Sequence, residues 1–491
     1  MTGWNKAKPR RNPMNTITPT RFRSNRAGSL PFQDGVLHLT TLLCVLACWP
    51  ESAFAQGTSA TLLTTFTNPT PASSDTFGSS LAAFGSDRLL IGADGGGAAY
   101  LFGTSGTLLT TFSISDPAAS GFGYPVAAVG GDGVLIGAYS YGTTAQNGRA
   151  YLFRTNGSLQ TTFTNPAPAT VQAFGLAIAS LGNDSVLIGG LPNRNSPAPY
   201  PGGVFLFTTN GTLLATFNNP APAFGDTFGL SVAAVGSDRV LIGAVDNNTG
   251  ATRAGVAYLF NTNGALLLTI TNPVPVAGDK FGWSVAAVGN NRVLISAIDD
   301  GSVRGDGAAY LFSTNGTLLT TFAHPTPTAR DSFGSSVAAV GSSRVLIGAY
   351  GDDTGAANAG SAYLFSTNGT LLNTFTNPTP ASFDNFGWSV AAVGTDRVLI
   401  GALLDNTGAP EAGAAYLFDL PYPSLSIARS AATVSIRWVA PETGLRLQES
   451  GLLGTPTVWE DTAAAASVNG PTNVVQQLLG TTNRFYRLRR P

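Results

Sequence analysis

The chain has 491 residues, 26 Lys and Arg against 27 Asp and Glu, and only 11% charged residues. That length exceeds what one ordinary core fills. The absence of a basic excess argues against nucleic acid, whose phosphates need neutralising cations. Gly (59) and Pro (30) are spread along the chain, as many turns require.

At the N-terminus, Arg21, Arg23 and Arg26 precede an apolar run from Val36 to Trp49, followed by Ala53-Phe54-Ala55. A basic stretch, a short apolar core and an Ala-x-Ala site predict a secretory signal peptide cut after Ala55. The run is shorter than the roughly 20 residues that span a bilayer as a helix. Met14 offers an alternative start inside this leader. Cys44 and Cys48 fall within the leader, so the mature chain carries no thiol chemistry and no disulfide. Removing residues 1–55 leaves 19 basic against 25 acidic side chains. The expected location is outside the cell or on its outer surface, with no membrane span in the mature chain.

From residue 61 one pattern recurs. Phe-Gly pairs begin at Phe77, Phe122, Phe174, Phe228, Phe281, Phe333 and Phe386, at steps of 45 to 54 residues. After each pair come a run of small residues, then Leu-Ile-Gly-Ala or a close variant, Ala-Tyr-Leu-Phe, and Thr-Leu-Leu-Thr-Thr-Phe. Four short apolar runs and four turns per period predict an array of small four-stranded sheets. Runs such as Ser231–Val235, small on both faces, suit the crowded inner position of a propeller blade. Val240-Leu241-Ile242 and Ala257–Phe260 suit mid-sheet packing, and the Thr-rich run Thr317–Phe322 suits a solvated outer edge. Asn-Gly before the last run, as at Asn156-Gly157 and Asn315-Gly316, marks a tight hairpin. A stray Thr61–Phe66 precedes the first Phe-Gly, and after Ala415–Phe418 the outer strand is missing. The N-terminal strand is therefore predicted to complete the last blade and seal its edge. The fold class read from the sequence is all-β: a seven-bladed β-propeller over 56–420.

The Phe-Gly and Leu-Ile-Gly-Ala alternation resembles the FG-GAP repeat, the unit of the integrin α-subunit propeller and of many secreted bacterial proteins. The resemblance covers roughly residues 56–420. The family usually has Pro after Gly-Ala; here Asp94, Tyr139, Val245, Tyr350 or Leu403 follows. Many members hold Ca²⁺ in an Asp-rich loop between the first two strands. Here that turn reads Gly85-Ser86-Asp87-Arg88 or Gly289-Asn290-Asn291-Arg292. One carboxylate beside an Arg falls short of the six or more oxygens that Ca²⁺ takes, so no metal site is carried over. Residues 421–491 form a separate β-rich stretch that resembles small β-sandwich-like modules, with Trp438, Trp459 and Phe485 as its expected core.

Little in the mature chain supports catalysis, and no cofactor is expected. It has one histidine, His324, and one lysine, Lys280. His324 replaces the Asn of a recurring Asn-Pro-x-Pro connector and reads as a surface substitution. Nucleophilic triads, zinc sites and phosphate loops all lack residues. Acids gather in the second-to-third-strand loops, at Asp246, Asp299, Asp300, Asp306, Asp352, Asp353, Asp405 and Glu411. They read as turn formers that bond their own backbone, with a hydrolytic carboxylate pair as the alternative.

Binding is better supported, where the repeats disagree. Directly after Phe-Gly stand Ser79, Tyr124, Leu176, Leu230, Trp283, Ser335 and Trp388, and the variable loops add Tyr139, Tyr141, Tyr200 and Tyr350. The candidate ligand-binding set is Tyr124, Trp283, Trp388, Tyr139, Tyr141, Tyr200 and Tyr350. Such aromatics anchor protein partners or stack on sugars; otherwise Trp283 and Trp388 fill gaps between blades. The expectation is a non-enzymatic binding or adhesion scaffold for a protein or envelope partner. A lectin-like glycan module is the alternative, and a hydrolase using loop carboxylates is the third reading.

Overall fold

The computed structural model of the protein is built from strands. It describes residues 60–420 apart from 117–119, 141–147, 194–201, 224, 300–305 and 329, and the C-terminal strands given below. The leader, with its cleavage site, lies outside the described residues, as do Tyr141, Tyr200 and Asp300. No helix among the described residues is long and apolar enough to cross a membrane.

Seven four-stranded antiparallel sheets follow one another between residues 61 and 419 among the described residues. The first runs Phe77–Phe84, Arg88–Ala93, Ala98–Gly103 and Leu108–Ser113 from its inner to its outer edge. The later inner strands are Phe122–Val129, Val171–Leu181, Phe228–Val235, Phe281–Val288, Phe333–Val340 and Phe386–Val393. The seventh sheet takes its outer strand from the start of the chain. Thr61–Thr67 pairs antiparallel with Ala414–Asp419, Thr61 opposite Asp419 and Thr67 opposite Ala414. The expected closure of that edge is present.

Each sheet is covered on both faces, which explains why its middle strands read as unbroken apolar runs. Leu89 and Ile91 face the preceding sheet, while Leu90 between them faces the next. A buried cluster fills every junction, including the one from last sheet to first, where Val393, Leu399 and Leu417 meet Phe77, Ile91 and Tyr100. The Phe of each Phe-Gly pair sits at the centre of an aromatic group. Phe77, for example, lies 5.7 Å from Tyr100 and 6.1 Å, edge-on, from Phe102.

The two glycines of the repeat meet at the seam between sheets. An added Cβ on Gly348 would stand 2.0 Å from the carbonyl oxygen of Gly387 in the next sheet, and one on Gly401 would stand 2.2 Å from that of Gly78. The Phe-Gly glycines have φ between 89° and 110°, a left-handed conformation that suits glycine. Serines add hydrogen bonds along the same seam. Ser231 Oγ donates to the Gly282 carbonyl (2.7 Å), and Ser389 Oγ donates to that of Gly78 (2.6 Å).

The turn arginines do more than shape hairpins. Arg239 Nη2 donates to the Asn290 carbonyl of the next sheet (2.6 Å) and Arg88 Nη2 to that of Gly131 (3.1 Å). Arg292 and Arg344 reach the carbonyls of Ser342 and Thr395, and Arg397 reaches Ser86 from the last sheet to the first (2.5 Å). The outer strands are solvated as expected, yet they expose leucines as well as threonines. Leu63, Leu109, Leu214 and Leu267 are each about half exposed.

In the C-terminal stretch, Ser426–Arg429, Thr433–Val439, Thr472–Leu478 and Ser467–Asn469 form one sheet. Glu460–Asp461, Arg446–Ser450 and Phe485–Arg489 form another. Ile436, Trp438, Leu447 and Val475 make the buried cluster, with Tyr486 packed on it. This corrects the expected core. Phe485 is only half-buried and outside that cluster, because neighbouring strand residues point to opposite faces. Trp459 lies outside the described residues.

Two outcomes follow from the seams. Gly348→Ala should cost about 2–3 kcal/mol in chemical denaturation, whereas Gly131→Ala, with open space around the added Cβ, should be near neutral. Equal effects of the two would refute the seam argument. Deleting residues 61–67 should expose the Ala414–Asp419 edge and give aggregation or a broadened melt by calorimetry and size-exclusion chromatography; a parental melt would refute closure.

Candidate functional site

The chain reaches each inner strand through a connector that starts at the outer strand of the preceding sheet. In four of these connectors an Asn is held by an Asp seven residues later. Asn68 Nδ2 donates to Asp75 Oδ2 (2.7 Å), Asn219 to Asp226 (2.8 Å), Asn272 to Asp279 (2.6 Å) and Asn377 to Asp384 (2.7 Å). The same carboxylate oxygens accept a backbone N–H, from Ala72, Ala223, Val276 and Ala381. The sequence reading missed this pairing, although Asn-Pro followed by Asp-x-Phe-Gly carries its signal.

His324 occupies the Asn position of one connector, and the reading of it as a surface substitution is overturned. Its side chain is 1% exposed, because the connector passes beneath the following second-to-third-strand loop. Nε2 lies 3.1 Å from Asp352 Oδ2, and Nδ1 accepts the Thr326 N–H (3.3 Å) and lies 3.6 Å from Asp331 Oδ2. Tyr363 also donates to Asp352. Burial alone would raise the Asp352 carboxyl; hydrogen bonds from His324, Thr354 and Tyr363 outweigh it and hold the group below the usual carboxylate range.

Several of the loop acids bond within their own loops. Asp352 Oδ1 accepts the Thr354 N–H (2.7 Å), Asp353 the Asn358 N–H (2.8 Å) and Asp405 the Thr407 N–H (2.8 Å). Asp246 accepts from Arg253 (2.8 Å), and Glu411 from Ser74 (2.9 Å). Asp384 and Asp405 do approach one another, but both are buried and engaged by Asn377 and Tyr416. Among the described residues, no group of three His, Cys, Asp or Glu side chains is placed to hold a metal ion.

Once Phe is buried and Gly is spent on the seam, the next residue of each inner strand is free to vary. All seven of these residues line one pocket, with a volume of about 270 Å³, at the end of the sheets where the inner strands begin. Ser79, Tyr124, Leu176, Leu230, Trp283, Ser335 and Trp388 surround it, and Tyr350 enters from a loop. No lining residue is charged. Trp388 packs against Tyr350 with ring centroids 5.0 Å apart, and Lys280 Nζ lies 5.8 Å from the Trp283 ring. Tyr124 meets Tyr139 edge-on at 6.0 Å, and Tyr139 sits in a small cluster with Ala173, Leu176 and Leu191. The structure thus brings Tyr124, Trp283, Trp388 and Tyr350 to one mouth and places Tyr139 behind it. The serines of this pocket were not singled out as candidates by the sequence reading, although the recurring Phe-Gly-x-Ser held the signal.

The FG-GAP repeat family model matches residues 269–312, 327–365 and 373–418. These three stretches are FG-GAP repeats. Two of the three FG-GAP units begin in an outer strand, and all three end in the third strand of the following sheet. That offset is the one the N-terminal strand uses to complete the last sheet. No curated protein matches the chain. Among solved structures, it is similar to the WD40 β-propeller domain of Doa1, with 12% identity, a TM-score of 0.45, and coverage of 74% of this chain and 97% of that one. It is likewise similar to BBS1N in complex with ARL6DN, with 11% identity, a TM-score of 0.45, and coverage of 74% and 98%.

The Asp384–Asp405 approach has a pH signature. Burial raises the Asp384 carboxyl to about 6, and Asp405 adds to this against the hydrogen bonds from Ala381 and Asn377. Folding therefore favours the protonated acid, and stability declines as pH rises from about 4, the unfolded value, to about 6. Asp405→Asn would reproduce the arrangement at Asp226, which accepts from Asn247 Nδ2 (3.1 Å). Denaturant midpoints at pH 4 and 7 should show about 1–2 kcal/mol less of this decline in the variant than in the parent. An unchanged difference would refute the coupling.

Proposed function

We propose that the protein is an exported, non-enzymatic binding scaffold. In this reading residues 1–55 are a cleaved leader, 56–420 a closed seven-bladed propeller and 421–491 a separate sandwich-like module. The loop end of the propeller engages a protein partner at the cell surface or beyond it. One observation carries the assignment: the position after Phe-Gly, the one that differs from repeat to repeat, converges from all seven sheets on a single pocket rimmed by Tyr124, Trp283, Tyr350 and Trp388. Partly buried aromatics gathered in a concave site are the residues that anchor partners. The opposite turns are occupied by arginines that clasp neighbouring sheets, which leaves them a structural role. A lectin-like role is the second reading, favoured by the mixture of aromatic rings and hydroxyls in an uncharged pocket. The engagement of the loop acids in their own turns supports setting hydrolysis aside.

Immobilised protein exposed to envelope extract of the producing cell should retain a specific partner. The combined Tyr124→Ala, Trp283→Ala and Trp388→Ala variant should lose that capture by about tenfold or more while still melting cooperatively. Arg239→Ala with Arg397→Ala should lower the melting temperature and spare capture. If the folded aromatic variant captures like the parent, the loop end is not the binding end.

A further inference from the structure

Resting on the reading of the loop end as the binding end, we propose that its central pocket takes a single uncharged sugar ring, stacked on Trp388 with its hydroxyl edge toward Ser79 and Ser335. The lining is divided by kind. Three consecutive sheets, the sixth, seventh and first, contribute Ser335, Trp388 and Ser79, an indole flanked by two hydroxyls. The wall across from them is mostly apolar, from Leu176 to Trp283. A pyranose has the matching character, with a C–H face for an aromatic π-surface and a hydroxyl rim for polar partners.

Ser79 is the second, independent observation. Its side chain is buried, at 4% exposure, and its Oγ has no hydrogen-bond partner. A buried hydroxyl left unpaired costs about 1–3 kcal/mol. Ser335 Oγ donates to the Gly387 carbonyl (3.3 Å), which leaves it an acceptor for a ligand hydroxyl, and the serines one residue further along are also engaged. Ser231, Ser336 and Ser389 donate to the Gly282, Gly387 and Gly78 carbonyls across the seams. Ser79 is thus a pocket-lining residue with hydrogen-bonding capacity in reserve, which a ligand hydroxyl would use once rotation about Cα–Cβ turns the enclosed Oγ toward the pocket.

Size and charge narrow the class further. A volume of about 270 Å³ lies just below the usual range of ligand pockets, about 300–1,000 Å³, and holds one ring rather than an extended chain. With no charged side chain in the lining, an ionic ligand would lose its hydration without gaining a counter-charge. Tyr350, packed on Trp388, limits the indole's freedom, so little ordering remains to be done on binding.

The full chain can be titrated with methyl glycosides of glucose, galactose, mannose and N-acetylglucosamine, followed by tryptophan fluorescence and calorimetry. One or more should bind saturably with one site per chain. Trp388→Ala should weaken that binding at least tenfold, and Ser79→Ala about threefold to tenfold, with both variants melting as the parent does. Binding by none of the glycosides, or parental affinity in the folded Trp388→Ala protein, would overturn the proposal. Saturation by N-acetylphenylalaninamide but by no glycoside would overturn it too, and assign the pocket to a protein side chain. In that case aromatic-dependent capture of an envelope protein would still stand, which separates failure of the sugar assignment from failure of the binding-end reading.

Discussion

Backbone meets backbone at the seams of this protein, and the rest of the structure follows from that contact. The carbonyl of one Phe-Gly glycine lies so close to the Leu-Ile-Gly glycine of the preceding sheet that a Cβ has no room, as at Gly348 against Gly387 and Gly401 against Gly78. Inner strands can then crowd around a common axis, and buried clusters fill each junction behind them. In the fifth sheet Ser296 replaces the second glycine, and its side chain is accommodated by hydrogen bonding with the backbone of Ser284. The seam tolerates a small side chain only where that side chain finds polar partners. A buried hydroxyl without them would carry a desolvation cost.

Crowding the inner strands has a second consequence at the connectors. The chain must pass from the outer edge of one sheet to the inner edge of the next, and its polar backbone is buried on the way. Asn and Asp seven residues apart supply the donors and acceptors, as in Asn68 with Asp75. The repeats then vary by compensated change. Where a second acid, Asp352, joins the first, His324 stands between them; where Asp405 does so, a tyrosine hydroxyl from Tyr416 is the compensation and Asp384 is left with a raised carboxyl. At Asp226 the second position is Asn247, and one carboxylate suffices. These arrangements look like catalytic clusters in a residue count, yet their burial and mutual engagement make them structural.

Variation between the repeats is concentrated at one position of each inner strand. Within Phe-Gly-x-Ser the Phe fills the core, the Gly makes the seam and the Ser often bridges it, so the third position is the one whose side chain differs most from sheet to sheet. Seven such positions arranged about one axis line a single pocket. Its character is set by which residues happen to fill them, and in this chain Trp388 lies between Ser79 and Ser335 with Tyr124 and Trp283 on the remaining wall.

The repeat spacing, the tight-turn signals and the stray Thr61–Thr67 strand made the sheets, their order and the closure of the last one legible before any coordinates. Those features are local or periodic, so adjacent residues suffice to specify them. Burial was less legible. His324 sits at a position that looks like loop, and only the passage of one connector beneath another loop makes it part of the interior. The turn arginines looked like hairpin residues because their acceptors lie some 43 to 311 residues away. In the C-terminal stretch, alternation identified strands, but whether Phe485 or Tyr486 faces inward depends on the facing sheet. Sequence by itself determined the repeat, the strand pattern and the variable position after each Phe-Gly. That those positions converge on one uncharged pocket, with a single unpartnered Ser79 hydroxyl in its wall, was decided by tertiary structure, because convergence and satisfaction depend on strands far apart in the chain being brought around the same axis.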